Sequence, residues 1–138
     1  MTIKQRAFLK WAGGKYGLSD VIAKMLPEGD RLIEPFVGAG SIFLNSDYKK
    51  YLLNDINKDL INLYQLLKLN PDQFIQDART FFTGDKNKPE IYYDIRTEFN
   101  QTTDIYTRSL FFLYMNRHGY NGLCRYNKPG GFNVPFGK

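Results

Sequence analysis

Apolar positions along the chain follow two different periods, and the switch between them marks how it is organised. The run Arg31-Leu32-Ile33-Glu34-Pro35-Phe36-Val37 is short and continuous, leads into Gly38-Ala39-Gly40, and resumes as a helical pattern from Ser41 to Asn45. That order predicts a strand over 31–37, a tight turn and a helix start. A second short strand is expected over Tyr51-Leu52-Leu53-Asn54, ending at Asp55. From there Leu60, Ile61, Leu63, Tyr64 and Leu67 keep a 3.6-residue period until Asn70-Pro71, which stops one helix and starts another. Phe74, Ile75, Ala78, Phe81 and Phe82 form the expected stripe of that next helix, and the polar stretch 83–89 reads as a loop. A helix is predicted from Ile91 to Phe99, and Asp104 is placed to cap another that runs through Met115 and ends at Gly119. This last helix is apolar all round and so is expected to be buried. Beyond it the period falls to two, with Leu123, Arg125 and Asn127 on one face and Cys124 and Tyr126 on the other. Pro129-Gly130-Gly131 and then Phe132, Val134 and Phe136 complete the pattern of a β-hairpin.

Charge sharpens this picture. The 138 residues carry a net charge of +5, yet all 14 acids lie at or before Asp104, where they are balanced by an equal number of basic residues. The excess belongs to Arg108, Arg117, Arg125, Lys128 and Lys138, a stretch without acids and with eight aromatics interspersed. A basic segment this rich in aromatic surface is folded structure that meets a polyanion, not a solvated tail. Hydrophobic content of 43% and a charged fraction of 24% are globular values. No transmembrane run occurs, and Ala7-Phe8-Leu9 is cut off by Lys10 before it could form a signal segment, so a cytoplasmic location and no membrane partner are expected. One Cys and one His cannot supply the usual ligands of a zinc site, so no metal is expected.

Two glycine clusters carry candidate chemistry. A strand, Gly38-Ala39-Gly40 and a helix start offer backbone N–H groups to a nucleotide-like ligand, and Asp55, 17 residues after Gly38, is placed to accept hydrogen bonds from ribose hydroxyls. Phe43 occupies the position of a third glycine, which argues against a dinucleotide. The second cluster, Phe8-Leu9-Lys10-Trp11-Ala12-Gly13-Gly14-Lys15, sets two lysines and the only Trp around a glycine pair. An aromatic face suits a sulfonium. Read from the residues alone, both clusters also fit plain turns, with Trp11 as a core anchor.

These two segments, with Asn54-Asp55-Ile56-Asn57, Asn116-Arg117-His118-Gly119-Tyr120-Asn121-Gly122-Leu123-Cys124-Arg125-Tyr126-Asn127 and Phe132-Asn133-Val134-Pro135-Phe136-Gly137, resemble the Dam-type DNA adenine-N6 methyltransferases across essentially the whole chain. The resemblance implies an α/β fold: the N-terminal part of a Rossmann-like methyltransferase domain binding S-adenosylmethionine (1–56), and a helical and β-hairpin domain recognising GATC in double-stranded DNA (57–138). Carried over by position, it implies that Trp11, Lys15, Phe36, Gly38, Ala39 and Asp55 serve the cofactor. It implies likewise that Lys10, Tyr120, Asn121, Leu123, Arg125 and Pro135 face DNA.

The chemistry of the second set suits that role. An adenine amino group is unreachable inside a duplex, so the base must be flipped out, and Tyr120 can prop the gap while Asn121 bonds the orphaned partner. Arg125 can grip guanine O6 and N7, and Leu123 or Pro135 can touch a thymine methyl. Arg117, Lys128 and Lys138 are candidates for phosphates.

The family's catalytic Asp-Pro-Pro-Tyr is not among these residues, since none of the six prolines adjoins another. Two strands also make an unfinished parallel sheet. The expectation is therefore an N-terminal portion of a longer enzyme, holding no catalytic residue and inactive by itself, with a C-terminal half missing. The alternatives are a DNA-binding module without catalysis and, less compatible with the glycine pattern, a small nucleotide-binding oxidoreductase.

Overall fold

The computed structural model describes residues 3–137, which form two compact units divided between Ile56 and Asn57. Across the described residues the fold is mixed α/β, with a two-stranded sheet and six α-helices.

In the first unit, β1 (Arg31–Glu34) and β2 (Lys50–Leu53) pair in parallel, with Arg31 opposite Lys50 and Glu34 opposite Leu53. β1 stops short of the expected 31–37 because the chain turns at Pro35 and Phe36. The pairing nonetheless reaches past the strands: Asn54 N–H donates to Glu34 O (2.8 Å) and Val37 N–H to Asn54 O (2.8 Å). Those two bonds pin the turn after β1 beside the end of β2. Ser41 then opens the predicted helix, which closes after one turn as α2 (Ser41–Leu44). α1 (Ser19–Met25) has no counterpart in the apolar pattern, because Val21 and Met25 are exposed and only Ser19 is buried. Leu9, Leu32, Val37, Ala39 and Ile42 are the buried apolar residues of this unit, while Ile33 and Leu52 leave the other sheet face exposed.

The second unit is helical, built from α3 (Lys58–Leu69), α4 (Pro71–Arg79), α5 (Pro89–Gln101) and α6 (Ile105–His118). Boundaries follow capping chemistry: Asn57, Asn70 and Asp104 accept from the backbone N–H groups of Leu60, Gln73 and Thr107. α4 ends at Arg79, so Phe81 and Phe82 lie beyond it instead of continuing its stripe. Phe81 packs edge-on against Phe111 and Tyr114 of α6 all the same, and Phe82 lies tilted against Tyr114. α6 is buried over Ser109–Phe112 and Tyr114–Asn116, as its apolar run requires.

The hairpin differs from expectation. Segments 123–127 and 132–136 do reverse, through a turn in which Asn127 Oδ1 accepts from Gly131 N–H (2.7 Å) and Gly130 takes φ +93°. They do not form two strands, and pairing reduces to one antiparallel bridge between Tyr126 and Phe132 with flanking hydrogen bonds. The groups that would extend the ladder are missing or taken, since Pro135 has no N–H and Leu123 N–H donates to Tyr120 O (3.1 Å), while α5 holds the outer edge. Asn100 both accepts from Phe132 N–H (2.8 Å) and donates to Phe132 O (3.0 Å), and Val134 O accepts from Tyr92 (2.9 Å) and Arg96 (3.0 Å). Side chains one turn apart on α5 satisfy the backbone groups on the outer edge of 132–134, which face away from 123–127.

Candidate functional site

The first unit holds an open cleft of about 140 Å³ between the Trp11–Lys15 loop and the turn after β1. Six sequence-predicted residues line it together: Trp11, Lys15, Phe36, Gly38, Ala39 and Asp55. Gly38 takes φ +52° and Gly40 φ +81°, the left-handed conformation that lets the chain double back within the turn. A Cβ on Gly38 would stand 3.0 Å from the Trp11 ring, so the indole lies directly against this backbone. Gly38 N–H donates to Asp55 Oδ2 (3.0 Å), which fixes the carboxylate at the rim where β2 ends. Phe36 is 80% exposed, an apolar ring with no cover from the described residues.

Glu34 also lines the cleft, and the motif reading did not single it out. Its Oε2 is buried without a hydrogen-bond partner among the described residues. Burial pushes its carboxyl above the usual carboxylate range, against the opposing pull of the Lys15 charge and the Phe43 N–H. A buried anion left short of donors is chemically prepared for a cation. Ser41 and Gly13-Gly14 are further lining residues missed by role, although they lie inside the motifs. The available signal for Glu34 was its place as the last residue of β1, immediately before the glycine turn.

The DNA-facing candidates of the second unit cluster on the segment after α6. Tyr120 is 51% exposed, and its N–H donates to Pro135 O (2.9 Å), so Tyr120 and the exposed Pro135 are neighbours. Asn121, also exposed, takes φ +52°, a conformation Asn tolerates better than most residues. Leu123 is half-buried and Arg125 is exposed. The alternation holds: Cys124 and Tyr126 turn inward, where Asn57 Nδ2 donates to Cys124 Sγ (3.3 Å) and Tyr126 donates to Asp59 Oδ2 (2.7 Å). Burial pushes the Tyr126 phenol well above its usual range.

Lys10 is exposed in the loop of the other unit and is not among the residues lining the cleft. Lys128 is exposed in the turn, Arg117 is exposed near the end of α6, and Lys138 lies outside the described residues.

Arg108 does not contribute a free charge to the basic segment. Arg108 is paired after all: its Nε and Nη2 donate to Asp59 Oδ1 (2.6 Å) and Oδ2 (3.2 Å). Its partly buried guanidinium demands a partner, and the fold finds one 49 residues upstream that a local count of acids cannot see. Arg108 therefore anchors the helices and adds little to the positive surface. Among the described residues no group of three or more His, Cys, Asp or Glu could hold a metal ion, and no helix is long and apolar enough to cross a membrane.

Residues 11–138 match the family model of the D12 class N6 adenine-specific DNA methyltransferases. The chain is 63% identical over 134 residues to a DNA adenine methylase of Vibrio cholerae serotype O1, covering 97% of this chain and 48% of that protein. It is 63% identical to the DNA adenine methylase of Serratia marcescens and 58% identical to that of Escherichia coli (strain K12), each over 98% of this chain. It spans 50% and 49% of those two, so the chain covers about half the length of the curated relatives it matches. With the family model matched over nearly all its residues, this chain belongs to the D12 class N6 adenine-specific DNA methyltransferases.

Proposed function

We propose that this chain is the cofactor-binding and DNA-recognition portion of an adenine-N6 methyltransferase that uses S-adenosylmethionine and acts at GATC in duplex DNA. The observation that carries the reading is the cleft in which Glu34, Lys15 and Asp55 surround a glycine turn. A methionyl group bears one ammonium and one carboxylate. The donor-poor Glu34 oxygen suits the ammonium, and Lys15 suits the carboxylate. Asp55, as an acceptor-only group, suits ribose hydroxyls, while the Trp11 and Phe36 rings suit the adenine and sulfonium. The residues present thus fit the cofactor, which would supply an electrophilic methyl on sulfur.

The first unit then corresponds to the start of a Rossmann-like domain, whose exposed Ile33 and Leu52 face further elements of the longer relatives would cover. The second unit corresponds to the recognition domain, with Tyr120 and Asn121 at the flipped base and Leu123, Arg125 and Pro135 at base edges. Lys10 joins them at the DNA. Asp-Pro-Pro-Tyr is not among the 138 residues, so chemistry is assigned to residues beyond them.

Trp11 is the only Trp and lines the cleft, so its emission reports directly on occupancy. Titration with S-adenosylmethionine is expected to change that emission saturably. An unaltered spectrum from a folded chain would contradict the cofactor assignment. The same preparation is expected to transfer no labelled methyl to a GATC duplex, and steady turnover would contradict placing the chemistry elsewhere.

A further inference from the structure

We infer that Asn133 is a positioning residue that holds the Arg125 guanidinium with one edge engaged and the other presented for guanine. The inference rests on the reading of Arg125 as a base-contacting residue and names what sets its aim. Arg125 is exposed, and an exposed arginine ordinarily samples many rotamers. Here its Nε donates to Asn133 Oδ1 (2.8 Å) and its Nη2 to Asn133 O (3.1 Å). Asn133 N–H in turn donates to Arg125 O (3.1 Å), so the two residues are joined by backbone and side chain together.

The engaged atoms lie on the side edge of the guanidinium. That leaves the end edge, Nη1 with the second Nη2 hydrogen, in the planar fork that matches guanine O6 and N7. The support behind the pair is rigid. On one segment the inward neighbour Tyr126 is bonded to Asp59, which Arg108 also grips. On the other, Val134 is fully buried and its carbonyl is held from α5. Asn133 therefore sits on a fixed backbone between two anchored neighbours, and ordering Arg125 before DNA arrives reduces the rotamer entropy lost on contact.

The test compares this 138-residue chain and its variants on two labelled duplexes by fluorescence anisotropy. One carries GATC and the other carries 7-deazaguanine at the guanines, which removes N7. The quantity read is the ratio of the two dissociation constants. Wild type is expected to prefer the guanine duplex, and Arg125→Ala to bring the ratio to about one. Asn133→Ala is expected to lower the ratio by about tenfold, or about 1.4 kcal/mol, since side-chain freedom returns to Arg125. Binding to the deaza duplex should change little. Asn133→Asp keeps the acceptor and is expected to restore the ratio while lowering overall affinity, a rescue that a purely structural role would not produce.

A wild-type ratio in Asn133→Ala, alongside a lost ratio in Arg125→Ala, overturns the positioning role alone. An unchanged ratio in Arg125→Ala, or no GATC binding by wild type, overturns the reading beneath it. Nuclear magnetic resonance decides independently of any variant. In the free wild-type chain the Arg125 Nε–H is expected to exchange slowly with water, and exchange as fast as that of Arg31 or Arg79 would overturn the inference.

Discussion

Glu34 and Gly38 show how single residues near the end of β1 make the cleft and bear its cost. Glu34 has its folded-state carboxyl raised, chiefly by burial, so the folded chain favours the protonated form. Its contribution to stability is therefore complete below the usual carboxylate value and is lost as pH rises through the raised one. Glu34→Gln is expected to raise the melting temperature of the ligand-free chain at pH 7, with the gain shrinking as pH falls toward the usual carboxylate range. Thermal melts across that range check the sign, and the same variant should bind S-adenosylmethionine more weakly. Gly38→Ala meets two obstacles, a left-handed backbone and a Cβ 3.0 Å from Trp11. The backbone alone costs about 1–2 kcal/mol, to be read as a lowered urea midpoint. Gly38 was legible in the sequence because a glycine after a strand signals a turn. Glu34 was not, because a four-residue strand leaves too few positions to tell which face meets a cleft.

At the scale of elements, helix limits were legible wherever a polar cap stands before an apolar stripe, as at Asn57, Asn70 and Asp104. α1 has no legible signal because none of its apolar residues is buried, so no buried stripe marks it. The hairpin was legible as a reversal and misread as a ladder. Period-two patterning fixes which side chains share a face, and it cannot say whether the Leu123 N–H meets the facing segment or turns back to Tyr120 O, as it does here. The inward residues of the reversal are the ones that hold it. Tyr126→Phe removes the donor to Asp59 and leaves Arg108 to satisfy that carboxylate alone, so a loss of about 1 kcal/mol is expected in chemical denaturation. The altered aim of the neighbouring Arg125 should appear as weaker preference for GATC over a scrambled duplex, with little change in affinity for the scrambled one.

For the molecule as a whole, the charge asymmetry survives with a smaller membership. Arg108 is neutralised by Asp59, Lys138 lies outside the described residues, and the exposed basic side chains of the segment after α6 are Arg125 and Lys128. Binding to duplex DNA is expected to weaken steeply with salt, and Lys128→Ala should reduce the slope of log K against log salt by roughly one without altering sequence preference. Retention of the full slope would remove Lys128 from the phosphate contacts. The mixed α/β class and the grouping of Trp11, Lys15, Phe36, Gly38, Ala39 and Asp55 around one cleft were legible in motif order. The Asp59–Arg108 pair was not, because it joins residues 49 apart that no local pattern connects. Every role proposed for the first unit requires that the cleft take the methyl donor. Calorimetric titration of the purified chain with S-adenosylmethionine and, separately, with NAD tests this most directly. Saturable binding of S-adenosylmethionine at one site, with NAD much weaker, is the predicted result, and tighter binding of NAD or no heat from either ligand in a folded chain would contradict it.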